Sequence, residues 1–199
     1  MNMLLKRCFL ALGLAGMSLM VGCAHQISFA PDGKKIVASG APRIEKAVAY
    51  YVSADDMKRE VITPGGGGDK ISYFPYREID AGIYKALSEV FTSVSKLDAP
   101  FDPNRPATPA LQLVFSPSIV TTSSSSSALT WPATDFTLEL TCKVVNGKNA
   151  PLKTIVVKGT GKAEFSEFKA EHGLSARRAA EDAMAQLVKA LETSPELRQ

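Results

Sequence analysis

The sequence predicts an α+β domain with two layers: a mixed, mostly antiparallel sheet of about four strands, with two helices on one face, in the order βαβββα. Three observations carry this prediction. Several segments alternate apolar and polar residues, as half-buried strands do; two longer segments have apolar residues at spacings of three and four, as amphipathic helices do; and the chain shows no internal repeat. With 199 residues, 45% of them apolar, the chain is long enough for one domain with a sizeable core.

The first half of the domain contains one strand, one helix and a second strand. Residues 46–53 are apolar on both faces, which is typical of an interior strand, and Ser53 with Asp56 has the form of a capping box for a short helical turn. Pro64 and four glycines should then stop regular structure. The second strand covers residues 111–115 and is ended or bulged by Pro117, which favours an edge position. The first helix is predicted by an apolar stripe of Ile79, Ile83, Ala86, Leu87, Val90 and Phe91.

The second half contains two strands and a helix. Strict alternation over residues 136–144 predicts a strand with Cys142 on its buried face, where it is a small core residue. Asn146-Gly147 is a hairpin turn signal, so the strand through residues 154–157 should be the antiparallel neighbour. The last helix is predicted over residues 176–191, with Ser175 as its N-cap.

The N-terminus has the pattern of an export signal. Lys6 and Arg7 precede an apolar run over residues 8–22. As a helix this run spans about 22 Å, which is too short to cross a hydrocarbon core of about 30 Å. We therefore predict that residues 1–22 are a signal peptide rather than an anchor.

The end of this run, Met20-Val21-Gly22-Cys23, resembles the bacterial lipobox, in which small residues precede a cysteine that is acylated before the signal is cut off. The lipobox pattern prefers Leu at the position of Met20. An ordinary secretory signal cut nearby is the alternative. The resemblance implies that Cys23 carries the lipid, that residues 23–43 are a tether, and that residues 44–199 form a periplasmic domain. By similarity to Gram-negative lipoproteins, Ala24 after the cysteine implies an outer-membrane anchor facing the periplasm.

Charge and cysteine content exclude two classes of protein. Removal of residues 1–22 takes away two positive charges and no negative one, so that the net charge of +3 becomes +1, and we expect no nucleic-acid binding. With Cys8 in the signal and Cys23 acylated, Cys142 is the remaining thiol, and no internal disulfide is expected.

The sequence offers little for catalysis. It contains no G-x-S-x-G turn and no phosphate-binding P-loop, and its two histidines, His25 and His172, have no metal-ligand spacing. We therefore expect no catalytic residue, no metal and no cofactor. A hydrolase that uses a serine and His172 is kept as a third hypothesis, because such a site depends on geometry.

A candidate interaction surface follows from the predicted topology. If the first, second and fourth strands run parallel, their C-terminal ends share one edge of the sheet with three unusual loops. The first loop contains Gly65–Gly68, which is a flexible connection or an anion cradle; the second contains Ser123–Ser127, which is a low-complexity loop or an extended hairpin; and the third contains Phe165. Arg177 and Arg178 at a helix start suggest an acidic neighbour. The candidate contact residues are Lys70, Tyr73, Phe74, Tyr76, Arg77, Trp131, Phe168 and His172.

For the aromatic residues among them, the alternative is burial in the core. This holds for Tyr73, Phe74 and Tyr76 under the glycine loop, and for Trp131. Burial is the interpretation that the sequence favours.

Together, the tethered cysteine and the element order resemble small Gram-negative outer-membrane lipoproteins of the YajG kind. This resemblance covers residues 44–195 only as a topology and transfers no functional residue. The first hypothesis is a non-enzymatic lipoprotein that binds another envelope protein. The alternative is a carrier or sensor of a small anionic envelope lipid or glycolipid, which needs a concave apolar pocket.

Overall fold

The computed structural model describes residues 24–66, 69–104, 110–124 and 134–199. Over these residues the chain is a mixed α+β structure with two sheets and four α-helices. The strands are β1 (Ala24–Gln26), β2 (Ile44–Tyr51), β3 (Val61–Gly66), β4 (Asp69–Tyr73), β5 (Phe91–Leu97), β6 (Leu113–Ser124), β7 (Asp135–Asn146) and β8 (Pro151–Lys162). The helices are α1 (Ala54–Met57), α2 (Pro75–Val90), α3 (Phe165–Ala170) and α4 (Leu174–Glu192), with single 3₁₀ turns at Gly33–Lys35 and Pro195–Leu197.

The larger sheet has the order β5-β2-β6-β7-β8. Strand β2 runs parallel to both β5 and β6, whereas β7 is antiparallel to both β6 and β8. Strands β2, β6 and β8 therefore point in the same direction, as the sequence predicted. The expected sheet of about four strands is corrected in two ways: β5 is a fifth strand at one edge, and β1, β4 and β3 form a separate sheet in that order.

Strand β5 was missed because it follows helix α2 without a break. The helix ends at Val90, and Phe91 already has extended backbone angles of φ −112° and ψ 151°. Phe91 continues the apolar spacing of the helix, so the sequence placed it on the helical stripe. It is buried instead as the first residue of a strand.

The region around Pro64 was expected to be irregular, but it forms a hairpin. Strands β3 and β4 pair antiparallel from Val61 opposite Tyr73 to Gly66 opposite Asp69. Strand β6 continues through Pro117 to Ser124, although its pairing with β2 ends at Phe115. Pro117 therefore lies where β6 has no β2 neighbour, which explains how a proline is tolerated within a long strand.

Helices α2 and α4 pack against the same face of the larger sheet and against each other. Helix α4 approaches β8 closely because the strand has glycines at the contact. A Cβ atom on Gly159 would lie 2.0 Å from the backbone oxygen of Ala179, and one on Gly161 would lie 2.0 Å from that of Ser175. The N-cap prediction is corrected: Gly173 precedes the helix, and Ser175 is fully buried in its first turn.

Residues 27–39 cross the outer side of the two helices, and we call this segment the strap. It starts near the helix N-termini, where Ser28 meets Glu78, and ends near their C-termini, where Ser39 binds Glu192. Its apolar side chains Ile27, Phe29 and Ile36 are buried in the core. Most of the stretch for which we expected a tether is therefore packed against the domain, because these three side chains cover the helices.

Among the described residues, no helix is both long and apolar enough to span a membrane.

Candidate functional site

One end of the domain gathers most of the predicted contact region, and we call it the upper end. It comprises the C-terminal ends of β6 and β8, the N-termini of α2 and α4, and the small sheet β1-β4-β3. Tyr73 joins the small sheet to β6 through Thr121, and Gly161 at the end of β8 contacts the first turn of α4. The opposite, lower end carries the turn between β7 and β8 and the C-terminal residue Gln199.

Tyr73 and Tyr76 belong to the core. The Tyr73 ring lies 5.6 Å from Phe29 and 5.5 Å from Phe136, edge-on to both, and its hydroxyl is 3.0 Å from the Thr121 hydroxyl. Burial raises the pKa of Tyr73, and the hydrogen bond with Thr121 opposes that shift in part. Tyr76 Oη accepts a hydrogen bond from the Ile119 backbone N–H at 3.2 Å. Both side chains therefore hold the small sheet and α2 against β6 and offer no free surface.

The two histidines of the chain meet at the upper end. The His25 ring on β1 and the His172 ring before α4 are parallel, with centroids 6.3 Å apart. His172 also lies edge-on to the buried ring of Phe168, at 4.9 Å. Phe168 is thus a core residue, while His172 is exposed. His25 was expected in the tether, so this contact was not predicted.

Helix α3 places an apolar and a cationic side chain beside these histidines. Phe165 is 47% exposed, and Lys169 Nζ lies 5.6 Å from the centroid of its ring. Lys169 is also exposed. This surface therefore pairs an aromatic ring with a cation one helical turn away.

A second aromatic and cationic pair begins helix α2. The Arg77 guanidinium lies 4.1 Å from the centroid of the Phe74 ring, and Arg77 is exposed while Phe74 is half-buried. Lys70 on β4 is exposed and lies opposite Ala24 of β1. Of the predicted contact residues, Lys70, Phe74, Arg77 and His172 therefore remain available at the surface.

The acidic neighbours suggested for Arg177 and Arg178 belong to the chain itself. Arg177 pairs with Glu171 at 2.7 Å, and Arg178 binds Glu167 through two hydrogen bonds of 2.9 and 3.0 Å. The Arg178 guanidinium lowers the pKa of Glu167 to about 2. Arg178 also donates to the backbone oxygen of Lys162 at the end of β8.

Glu78 organises the upper end, and its role was not predicted from the sequence. Its carboxylate is buried and accepts hydrogen bonds from the Ser28 hydroxyl at 2.6 Å and the Phe29 N–H at 3.0 Å. In the sequence, Glu78 is marked only by its position: it is an acidic residue next to the apolar stripe of α2, one turn before Gly82. Glu78 therefore fixes the start of the strap.

Several predicted residues lie outside the described part of the chain. These are Cys23, Trp131, Gly67 and Gly68, and Ser125 to Ser127 of the serine run. Gly65 and Gly66 belong to β3, and Ser123 and Ser124 end β6.

Cys142 is buried on β7, as predicted, and burial raises the pKa of its thiol to about 12. A neutral, buried thiol is not a nucleophile. Within the described residues, no group of three or more His, Cys, Asp or Glu side chains is arranged to hold a metal ion.

An open groove of about 610 Å³ lies near the C-terminal end of α4. One wall is the end of the strap with Val37, and the other is α4 with Ala185 and Val188. Lys189 and Arg198 border it, and both are exposed. The groove therefore combines apolar walls with two cations and the carboxylate of Glu192, which accepts a hydrogen bond from Ser39.

No family model and no curated protein matches this sequence. Among solved structures, the chain is similar to a Xanthomonas campestris protein described by the family model DUF330, with 10% identity and a TM-score of 0.48 over 85% of this chain and 90% of that chain. It is also similar to a protein described as a minor lipoprotein from Acinetobacter baumannii, with 12% identity and a TM-score of 0.37 over 76% of this chain and 93% of that one.

With identities and TM-scores this low, neither likeness carries an argument about this chain. The resemblance to lipoproteins of the YajG kind is not confirmed by these comparisons.

Proposed function

We propose that this protein is a non-enzymatic lipoprotein of the bacterial outer membrane, anchored by acylated Cys23, whose periplasmic domain binds another envelope protein. One observation carries the proposal: the lipobox-like sequence ends at Cys23, and the next residue, Ala24, is already paired in a strand of the domain. A signal-like run that stops at a cysteine next to an ordered domain fits anchoring by lipid. Multiple acyl chains then hold the protein stably on the membrane.

The anchor is tested by metabolic labelling with an alkyne analogue of palmitate. Cells that produce the full chain should incorporate the label into the protein, and Cys23→Ser should abolish incorporation and release the protein from the membrane fraction. Cys142→Ala is the matched control, because it removes the buried thiol of the mature chain and should leave the label in place. Labelling that persists in Cys23→Ser would contradict acylation at this residue.

Binding of a protein partner is supported by the pair of half-buried Phe74 and exposed Arg77. An arginine stacked on an aromatic ring offers apolar area together with several hydrogen-bond donors, and both residue types are enriched at the centres of interfaces. The pair lies at the same end of the domain as Ala24, so a partner would meet it close to the membrane.

The partner surface is tested by crosslinking in intact cells. Arg77→Ala and Phe74→Ala should weaken a specific crosslinked species several-fold, whereas Lys148→Ala at the lower end should leave it unchanged. Equal crosslinking in all three variants would show that the partner binds another surface of the domain.

The absence of enzymatic activity is tested with His172→Ala. A hydrolase that depends on this imidazole should lose its function in the variant. We expect the His172→Ala variant to complement the envelope phenotype of a deletion strain fully.

The alternative function, a carrier or sensor of a small anionic lipid or glycolipid, is supported by the groove between the strap and α4. Its apolar walls and the cations Lys189 and Arg198 match a ligand with an acyl part and an anionic head. Native mass spectrometry of detergent-extracted protein should then detect one bound lipid, and Lys189→Ala with Arg198→Ala should remove it. A protein free of lipid would reject this alternative.

A further inference from the structure

We propose that the upper end of the domain rests on the bilayer surface, with Phe165 and Lys169 of α3 in contact with phospholipid headgroups. This inference rests on the proposed acylation of Cys23 and adds the orientation of the domain on the membrane and the residues that touch it.

Very little chain separates the proposed anchor, Cys23, from the fold. Ala24 is paired in β1 opposite Lys70 of β4, and β4 continues to Tyr73, which is held on β6. Cys23 is one peptide unit, about 3.8 Å, before Ala24. A lipid on Cys23 therefore holds β1 next to the headgroups, with no flexible spacer between them.

Strand β1 is firmly attached to the rest of the domain. The Ile27 N–H donates to the Ser72 oxygen at 2.9 Å, and the Phe29 N–H donates to the buried Glu78 carboxylate. Gly173 lies so close to the strap that a Cβ there would be 2.2 Å from the Ser28 oxygen. The position of β1 thus fixes which end of the domain meets the membrane.

The surface beside β1 carries aromatic and cationic side chains. His25 stacks on His172, and His172 contacts Phe168 of α3. On the same short helix, Phe165 is 47% exposed with Lys169 near its ring. An aromatic ring next to a lysine is a common pair at membrane interfaces, where the ring enters the headgroup region and the ammonium stays with the phosphates.

The charges around α3 agree with this contact. Glu167 and Glu171 would repel an anionic surface, but Arg178 and Arg177 are paired with them. Lys70 and Lys169 add positive charge, while Glu164 adds a negative one. The surface is close to neutral, so its contact depends on the short anchor and on Phe165 rather than on net charge.

The experiment compares two labelled positions in the acylated full-length protein. An environment-sensitive fluorophore is placed on a single exposed cysteine at Ser166→Cys beside Phe165, or at Lys148→Cys in the turn of the lower end. The two ends of β7 are about 37 Å apart, since each strand residue rises about 3.4 Å. The protein is reconstituted in vesicles of phosphatidylethanolamine and phosphatidylglycerol that contain a lipid with a nitroxide-labelled headgroup.

We expect several-fold stronger quenching at position 166 than at position 148. Insertion of a flexible spacer of about twelve residues between Cys23 and the strand, with Ala retained after the cysteine, should reduce that difference. In the spacer variant, Phe165→Ala should reduce it further. Val120→Ala, which removes an exposed apolar side chain from the open face of β6, should not.

Two results would overturn the proposal. The first is equal or stronger quenching at position 148 in protein that floats with the vesicles. The second is a photo-crosslinker at position 166 that captures protein rather than phospholipid in intact cells. Loss of flotation and of palmitate labelling would instead show that Cys23 is not acylated, and the proposed function would fail with it.

Discussion

Glycines at the contact between helix α4 and strand β8 decide how closely the two elements pack. Gly159 and Gly161 have no Cβ, so the backbone of α4 lies directly against the strand, and the facing helix residues Ala179 and Ala183 are small. Any side chain at these two strand positions would meet backbone atoms, which cannot move without shifting the helix. The glycines are therefore required by packing and not by flexibility.

Gly159→Ala should lower the free energy of unfolding by about 1–3 kcal/mol, the usual cost of overpacking, because the new Cβ would lie 2.0 Å from the Ala179 oxygen. Urea denaturation followed by circular dichroism measures this loss. Gly33→Ala is the control, since nothing lies within 4 Å of a Cβ at that position. Equal stabilities of the two variants would contradict the close packing of α4 on β8.

The ion pair of Glu167 and Arg178 should make stability depend on pH in a defined window. Arg178 lowers the pKa of Glu167 from 4.5 to about 2, so the folded state favours the carboxylate. The stabilisation is complete above the unfolded pKa and is lost as the pH falls through the folded pKa. The Tm difference between the wild type and Glu167→Gln should therefore be constant near neutral pH and shrink from pH 4.5 down to about 2. A difference that does not change with pH would show that the pair contributes nothing.

Strand β8 shows how one element is protected by another. It is the last strand of the larger sheet, and side chains one turn apart on α4 bind its backbone. Asp182 accepts from the Thr160 N–H, Gln186 donates to the Lys158 oxygen, and Arg178 donates to the Lys162 oxygen. These bonds occupy backbone groups with which another strand would pair, and so they reduce the risk of edge-to-edge association.

The strap depends on Glu78 in a similar way. Glu78→Ala removes the acceptor for the Ser28 hydroxyl and the Phe29 N–H, and we expect a loss of about 2–3 kcal/mol because a buried charged acceptor is removed. The rate of amide hydrogen exchange at residues 27–36 should rise in the same variant. Glu78→Gln keeps an acceptor oxygen and should recover part of both effects. Unchanged exchange in Glu78→Ala would mean that apolar packing alone holds the strap.

Across the whole molecule, the strap connects strand β1 to helices α2 and α4. It runs from the upper end to the C-terminal ends of α2 and α4, where Ala38 binds Glu89 and Ser39 binds Glu192. A force or displacement applied at β1 therefore reaches both helices. The strap is therefore an integral part of the fold.

A chain that begins at Arg43 should consequently be much less stable than one that begins at Gln26. It lacks Ile27, Phe29 and Ile36, and each buried apolar side chain contributes about 1.5–3 kcal/mol. Their sum is comparable to the whole stability of an ordinary domain, about 5–15 kcal/mol. Thermal unfolding should show a large drop in Tm or loss of the cooperative transition. Similar Tm values for the two chains would support the tether that we first expected.

Features that depend on local pattern were predictable from the amino-acid sequence. The period of apolar residues predicted α2, α4 and the strands of the larger sheet other than β5, and the parallel direction of β2, β6 and β8 followed from the order of these elements. The alternation around Cys142 also placed that residue correctly in the core. These features are local because each element must present one apolar face.

Features that depend on distant partners are set by the assembled fold and were not predictable. The sequence could not assign Ile27, Phe29 and Ile36 to the core, because the surface that buries them is formed by two helices far along the chain. For the same reason it kept Tyr73 and Tyr76 among the candidate contact residues, although both are buried, and it missed the contact of His25 with His172, 147 residues away. Burial and neighbourhood are properties of the assembled fold, and they determine which residues of the upper end remain available for binding.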